Sequence, residues 1–106
     1  MASNPTILVT GASGGIGREA AIHCAAKGAK IAVHYNSNQQ RAEQTLEMLE
    51  GVGHRIYQAD VTNPQAVESL VNAVAEDMGS LDVLVNNAGI SQRHEIADID
   101  YATWQE

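Results

Sequence analysis

Short apolar runs separated by amphipathic stretches make up most of this chain. Residues 7–9 form an uninterrupted apolar run, which is typical of a strand buried on both faces in a parallel sheet. Further strands are predicted at Lys30–Tyr35, Arg55–Gln58 and residues 81–85. The four strands begin near residues 6, 30, 54 and 81, so about one strand–helix unit separates each from the next.

A helix is predicted after each of the first three strands, because apolar residues recur there at helical spacing. The first helix begins at the end of a glycine-rich turn, and the second spans residues 39–50 with polar residues 36–38 supplying its cap. The third opens at Asn63 and Pro64, where the missing proline N–H costs nothing, and ends at Gly79. The predicted apolar positions are Ile16, Ala20, Cys24 and Lys27 in the first helix, Ala42, Leu46 and Leu49 in the second, and Val67, Leu70, Val71, Val74 and Met78 in the third.

Strands that alternate with helices predict an α/β fold, a doubly wound parallel sheet with right-handed crossovers. In such a sheet, ligands bind beyond the C-terminal ends of the strands, where the strand order reverses. Each predicted strand is followed by a polar or glycine-rich segment, at residues 11–17, 35–38, 59–61 and 86–89. We therefore expect these segments to meet in one ligand-binding crevice.

Gly11, Gly14, Gly15 and Gly17 fall in the turn between the first strand and the first helix. A helix N-terminus leaves its first N–H groups unpaired and carries about half a positive charge. Glycine lets the backbone turn sharply and lets a pyrophosphate approach without a Cβ in the way. This combination predicts a dinucleotide site, and an ordinary tight turn is the alternative.

Composition narrows the choice of partners. The 106 residues suffice for one small domain, and the net charge of −7 argues against nucleic acid or an anionic membrane as a partner. No apolar run reaches the length of about 18 residues that a transmembrane helix needs. The single cysteine, Cys24, excludes an internal disulfide framework and favours a packing role in a reducing cytoplasm. The four histidines show no metal-ligand spacing, so no metal site is predicted.

The glycine spacing fits two family patterns. Gly11, Gly15 and Gly17 match T-G-x-x-x-G-x-G, which resembles the short-chain dehydrogenases/reductases. Gly11, Gly14 and Gly17 match G-x-x-G-x-x-G, which resembles the extended, sugar-nucleotide-epimerase branch of that superfamily. Asn-Asn-Ala-Gly at residues 86–89, with Asp-Val after the third strand, resembles the ordinary short-chain branch and favours it. Within that branch, the run VHYNSN is similar to the 3-oxoacyl-(acyl carrier protein) reductases.

This resemblance implies a Rossmann sheet with strand order 3-2-1-4 that binds a small-molecule dinucleotide. Asp60 would accept a hydrogen bond from the adenine amino group, with the Val61 backbone beside it. The alternatives are a turn role for Asp60 and strand-end hydrogen bonding for Asn86 and Asn87. The other implied residues are Gly11, Ser13, Gly15, Ile16 and Gly17 at the pyrophosphate and its ribose, and Asn87, Ala88 and Gly89 along the cofactor and against the fourth strand.

The end of the second strand bears on the choice between NADP(H) and NAD(H). Enzymes that use NAD place a carboxylate there, which binds the ribose 2′-hydroxyl. Here Asn36, Ser37 and Asn38 follow the strand, and the first acid is Glu43. Nothing in this segment would repel a 2′-phosphate, and Ser37 and Asn38 could donate to it, so NADP(H) is favoured over NAD(H).

No basic side chain lies at residues 11–17. The resemblance implies an arginine at position 14 in many NADP-type relatives, whereas this chain has Gly14. Arg18 and Arg41 are the nearest basic residues and are therefore the candidates for a 2′-phosphate.

The resemblance also implies residues for proton transfer, namely a serine and a tyrosine followed four positions later by a lysine that lowers the phenol pKa. No tyrosine of this chain stands four positions before a lysine, so no catalytic residue is predicted. We expect residues 1–106 to be the cofactor-binding part of an oxidoreductase. It would end inside a helix that opens at residues 99–106, be inactive alone and belong to a homo-oligomer at full length. A non-catalytic dinucleotide-binding module and an inactive fragment are the alternatives.

Overall fold

The computed structural model of the protein describes residues 4–87. Ala88, Gly89 and the helix predicted at residues 99–106 lie outside the described residues. The observed elements are β1 (Thr6–Thr10), α1 (Gly15–Ala26), β2 (Lys30–Tyr35), α2 (Gln39–Met48), β3 (Arg55–Gln58), α3 (Pro64–Met78) and β4 (Val83–Asn86).

The four strands form one parallel sheet in the order β3-β2-β1-β4, which confirms the predicted doubly wound topology. Leu8 of β1 is in register with Ala32 of β2 on one side and with Leu84 of β4 on the other. The chain steps outward from β1 to β2 to β3 and then returns past β1 to β4. The strand order therefore reverses at β1, and the loops after β1 and β4 flank that point.

Each face of the sheet carries its own apolar core. Ile7 and Val9 of β1 pack with α1 and α2, whereas Leu8 faces the core that contains α3. β1 is therefore buried on both sides, as its uninterrupted apolar run predicts. Successive residues of β2 divide in the same way, since Ile31 and Val33 belong to the first core and Ala32 to the second.

The buried stripe of α1 lies one position later in the chain than the predicted stripe. Ile16 is 71% exposed, and the buried residues of the helix are Gly17, Ala21 and Ala25. Cys24 is only partly buried, although it packs against the same core. Ala20 of the predicted stripe likewise packs against this core while partly exposed. The observed stripe begins at Gly17 because the helix packs there directly against the turn that leaves β1.

The faces of α2 and α3 follow the prediction more closely. Ala42 is buried in α2, and Thr45 beside it replaces Leu46 as the second buried residue of that helix. In α3 the buried residues come from the predicted stripe, in which Leu70, Val74 and Met78 are buried and Val67 and Val71 are half-buried.

The predicted start of α2 and the predicted start and end of α3 are confirmed. Asn38 caps α2 by accepting from the Arg41 N–H, and Asn63 caps α3 by accepting from the N–H groups of the next turn. Gly79 ends α3 with φ of +90°, in the left-handed region. No helix within residues 4–87 combines the length and the apolar character that crossing a membrane requires.

Candidate functional site

The C-terminal ends of the four strands meet at one edge of the sheet, and hydrogen bonds join the segments that follow them. The Ala12 N–H donates to the carbonyl of His34 (3.0 Å), which links the glycine turn to β2. The Ala59 N–H donates to the carbonyl of Tyr35 (3.1 Å), which links the loop after β3 to β2. The Asn87 N–H donates to Oγ1 of Thr10 (2.8 Å), which links β4 to β1. The convergence of these segments is thus observed within the described residues.

The glycine turn leaves its later amides available to a ligand. Gly11 has φ of +66° and Gly15 has φ of +58°, so both adopt the left-handed conformation that favours glycine. The backbone N–H groups of residues 15–17 donate to no residue among those described. These amides stand at the N-terminus of α1, whose first turn contains no acidic residue. The turn therefore has the geometry and the electrostatics of an anion site.

Gly17 is required by close packing rather than by its backbone angles. A Cβ on Gly17 would collide with the carbonyl oxygen of Gly11 and stand 2.9 Å from Nδ2 of Asn87. The start of α1 is pressed directly against the turn that leaves β1. Any side chain at position 17 would force the helix away from the turn.

The two arginines near the turn have different surroundings. Nε of Arg18 donates to Oγ1 of Thr45 (2.8 Å), and its Nη2 donates to the carbonyls of Ser13 (2.8 Å) and Arg41 (3.0 Å). Arg18 therefore links the turn to α2, and its guanidinium already has hydrogen-bond partners within the fold. The guanidinium of Arg41 forms no hydrogen bond or ion pair with the described residues. Its Nη2 lies 2.5 Å from the position that a Cβ on Gly14 would take.

No carboxylate lies directly after β2. The Asn36 carbonyl accepts from Nε2 of Gln58 (2.8 Å), and the Asn38 side chain uses Oδ1 for the helix cap. Ser37 is exposed. The nearest acid along the chain, Glu43, accepts a hydrogen bond from Gln39 of the same helix (3.0 Å).

Asp60 is exposed after β3 and remains ionised at neutral pH. Its Oδ1 accepts from the hydroxyl (2.6 Å) and the N–H (3.0 Å) of Thr62, and these two bonds lower the pKa of the carboxyl. This is the turn role named above as the alternative. Oδ2 accepts from no described residue and so stays open to a donor, while Val61 is half-buried beside it. A groove of about 410 Å³ opens next to Asp60, and its lining includes Tyr57, Ala59, Ala66, Ser69, Leu70 and Ala73.

The two asparagines after β4 brace the edge of the sheet. Oγ1 of Thr10 donates to Oδ1 of Asn86 (3.1 Å), and Nδ2 of Asn87 donates weakly to the Gly11 carbonyl (3.4 Å). Strand-end hydrogen bonding is therefore observed for both, and Asn87 also contacts the glycine turn.

The sequence analysis missed His34, which lies at the centre of this edge. Its side chain is 1% exposed, Nδ1 accepts from the Gly11 N–H (2.9 Å), and Nε2 lies 2.8 Å from the Ala59 carbonyl. Burial lowers the pKa of His34, although the hydrogen bond to the Ala59 carbonyl opposes that shift. A polar ring within the apolar run of β2 was the signal that could have identified it.

Comparison with known proteins identifies the family. The family model for short chain dehydrogenases matches residues 5–106. The short-chain dehydrogenase/reductase homolog YusS of Bacillus subtilis is 38% identical over 102 residues, which is 94% of this chain and 94% of that protein. The 3-oxoacyl-[acyl-carrier-protein] reductase FabG of Staphylococcus aureus is 37% identical, across 100% of this chain and 44% of its own length.

A solved structure agrees with both. The crystal structure of a short chain dehydrogenase from Burkholderia cenocepacia in complex with NADP matches with a TM-score of 0.76 and 43% identity, over 82% of this chain and 36% of that one. The chain thus spans nearly the whole of the Bacillus relative but less than half of the reductase and of the solved dehydrogenase. From its strand order, its glycine turn and these matches, the chain belongs to the short-chain dehydrogenase/reductase family.

Proposed function

We propose that this chain binds a nicotinamide adenine dinucleotide, with NADP(H) preferred over NAD(H), as the cofactor-binding part of a short-chain oxidoreductase. When bound, the cofactor would supply or accept the hydride of carbonyl reduction or alcohol oxidation. The residues of this chain would bind and orient it. For the oxidoreductase as a whole we propose 3-oxoacyl thioesters as the substrate class, from the similarity to the 3-oxoacyl-[acyl-carrier-protein] reductase.

The observation that carries the proposal is the set of amides at residues 15–17, which donate to no described residue and stand at the N-terminus of α1. They would bind the pyrophosphate, with Ser13 and Ile16 beside the adjacent ribose. Gly17 supports this assignment, because its missing Cβ lets α1 approach the turn. At the adenine end of the cofactor, Oδ2 of Asp60 would accept a hydrogen bond from the amino group. Asn87, Ala88 and Gly89 would lie along the cofactor.

Arg41 supports the preference for NADP(H). Its guanidinium covers Gly14, so an arginine from α2 takes the space that a side chain at position 14 would fill. Because this guanidinium has no partner among the described residues, it can bind a 2′-phosphate without breaking an existing contact. Ser37 and the amide nitrogen of Asn38 lie on the segment between β2 and α2 and would add neutral donors. The carboxylate that would favour a ribose 2′-hydroxyl is absent from residues 36–38.

The test is a titration of the purified chain with NADPH and with NADH, followed by cofactor fluorescence. We expect tighter binding of NADPH. Arg41→Gln should raise the NADPH Kd about tenfold and leave the NADH Kd nearly unchanged, because one charge-assisted contact to the 2′-phosphate is lost. Arg55→Gln is the matched control, since Arg55 begins β3 at the opposite edge of the sheet, and it should change neither constant.

The possible results separate the two parts of the proposal. Absence of binding for both nucleotides would overturn the dinucleotide function. Equal affinities that Arg41→Gln leaves equal would overturn the 2′-phosphate assignment and retain the dinucleotide site.

A second candidate is a dinucleotide-binding module without turnover. It is favoured because no tyrosine of the 106 residues stands four positions before a lysine. Tyr57 does not replace that residue, since burial and the neighbouring Asp77 raise its pKa to about 12. A phenol that exchanges a proton near neutral pH needs a shift in the other direction. NADPH oxidation by this chain with an acetoacetyl thioester would exclude the module. Both candidates predict binding without oxidation, so a Tyr-x-x-x-Lys encoded in the same reading frame downstream of residue 106 would decide for the oxidoreductase, and a reading frame without one would decide for the module.

A further inference from the structure

His34 connects two loops that the proposed function assigns to different parts of the dinucleotide. Gly11 begins the turn that would bind the pyrophosphate, and Ala59 directly precedes Asp60, which would bind the adenine. The imidazole spans the gap between them with bonds of 2.9 Å and 2.8 Å. The backbone of β2 reinforces both connections, through the carbonyls of His34 and Tyr35.

The Gly11 N–H and the Ala59 carbonyl determine the protonation state and the tautomer of the His34 ring. A backbone N–H can only donate and a carbonyl can only accept, so Nδ1 carries the lone pair and Nε2 carries the proton. The ring is therefore neutral. An imidazolium would direct a second N–H at the N–H of Gly11, and the lowered pKa of this buried ring agrees with the neutral form.

An apolar side chain could fill the same volume but could not replace these bonds. His34 is 1% exposed and Ala59 is also buried, so water does not readily compensate for a lost bond there. A leucine at position 34 would leave the Gly11 N–H and the Ala59 carbonyl without their partner. Each would then be free to reorient, and the two loops would lose their fixed separation.

We propose that His34 is a positioning residue of the dinucleotide site, whose neutral imidazole holds the glycine turn and the Asp60 loop at the separation that one bound cofactor requires. The inference rests on the proposed function. It adds a residue that would not touch the cofactor and would act through Gly11 and Ala59.

Two conservative variants test the two hydrogen bonds of the ring separately. The asparagine amide ends near the position of Nδ1, so His34→Asn keeps an acceptor for Gly11 and loses the bond to Ala59. The glutamine amide reaches the position of Nε2, so His34→Gln keeps the bond to Ala59 and loses the acceptor for Gly11. We expect both variants to bind NADPH about fivefold more weakly, and His34→Leu to bind it at least about tenfold more weakly.

His54 provides a matched control at the opposite edge of the sheet. Its Nδ1 accepts from the Ile31 N–H (3.0 Å), and its Nε2 lies 2.7 Å from the Glu50 carbonyl. His54→Asn and His54→Gln therefore remove the same kinds of bond from the same fold. These variants should lower the melting temperature and leave the NADPH Kd unchanged, whereas the His34 variants should change the Kd even at temperatures where they are fully folded.

Nitrogen NMR of the unmodified chain adds a test that needs no variant, since the two neutral tautomers and the imidazolium have distinct shifts. The Nε2–H tautomer is expected at neutral pH, and either other form would overturn the proposal. NADPH binding by His34→Leu or His34→Asn as tight as that of the unmodified chain would also overturn it. Failure of the unmodified chain to bind NADPH would instead overturn the proposed function itself.

Discussion

At the scale of single residues, two glycines of the same turn serve different purposes. Gly14 has extended backbone angles that any residue adopts, and its missing side chain makes room for the flexible end of Arg41. Gly17 makes room for backbone, the carbonyl of Gly11, which cannot move without displacing β1 or α1. Substitution at these two positions should therefore have very different consequences.

Gly17→Ala should lower the free energy of unfolding by about 1–3 kcal/mol, because overpacking displaces α1 from the turn. The same displacement should abolish NADPH binding, since it moves the amides of residues 15–17. Thermal unfolding and fluorescence titration measure the two effects.

Gly14→Ala is the matched comparison, since only the Arg41 side chain has to move. We expect its free energy of unfolding to stay within about 0.5 kcal/mol of the unmodified chain, with NADPH still bound. Equal effects of the two substitutions would show that contact with the Gly11 backbone does not set the requirement at position 17.

At the scale of elements, α3 shows how local residues define where a helix begins and ends. Pro64 occupies its first position, and Gly79 stops it in the left-handed conformation. Oδ1 of Asn63 accepts from the N–H groups of Gln65 (2.9 Å) and Ala66 (3.4 Å), which would otherwise lack intrahelical partners. Because α3 crosses from β3 to β4, its start sets where the Asp60 loop ends.

Asn63→Ala should lower the free energy of unfolding by about 1 kcal/mol, because two amides at the start of α3 lose their acceptor. Asn72→Ala is the control on the same helix. Asn72 is an exposed interior position, where alanine is the better helix former, so stability should stay the same or rise by up to about 0.5 kcal/mol. Denaturant unfolding of both variants measures the difference, and an equal loss in both would argue against capping by Asn63.

At the scale of the whole molecule, burial is concentrated in the centre of the sheet. β1 is buried along its whole length, and β2 is buried except at its first residue. β3 pairs only with β2 among the described strands, and its residues are half-buried or exposed. The site therefore joins the end of a fully buried strand, β1, to the end of a more exposed strand, β3.

Amide hydrogen exchange should show this gradient. The slowest amides should lie in β1 and β2 and exchange only through global unfolding, while amides of β3 exchange faster through local opening. NADPH at about a hundred times its Kd should slow the globally exchanging amides by about hundredfold, equivalent to about 2.7 kcal/mol. Equal protection of β1 and β3 without cofactor would contradict this description.

Much of the fold could be predicted because its signals are local. The apolar run of β1, the helical stripe of α3 and the caps at Asn38 and Asn63 each depend on residues a few positions apart. Element bounds were less accurate, since β4 covers Val83–Asn86 rather than residues 81–85 and α2 ends at Met48 rather than at residue 50. The ends of strands depend on which residues of the neighbouring strand are available for pairing, and a single stretch of sequence does not contain that information.

The same distinction between local and long-range information applies to the candidate site. The sequence by itself determined the α/β class and the edge where the four segments meet, because residue periodicity and glycine geometry act within one element or one turn. The strand order followed only from the family resemblance, since periodicity does not show which strands are neighbours. Tertiary structure alone decided that Ala21 rather than Ala20 faces the sheet, that Arg18 is occupied while Arg41 covers Gly14, and that His34 joins Gly11 to Ala59. These relations connect residues far apart in the chain, and they depend on how closely one helix or strand packs against the next.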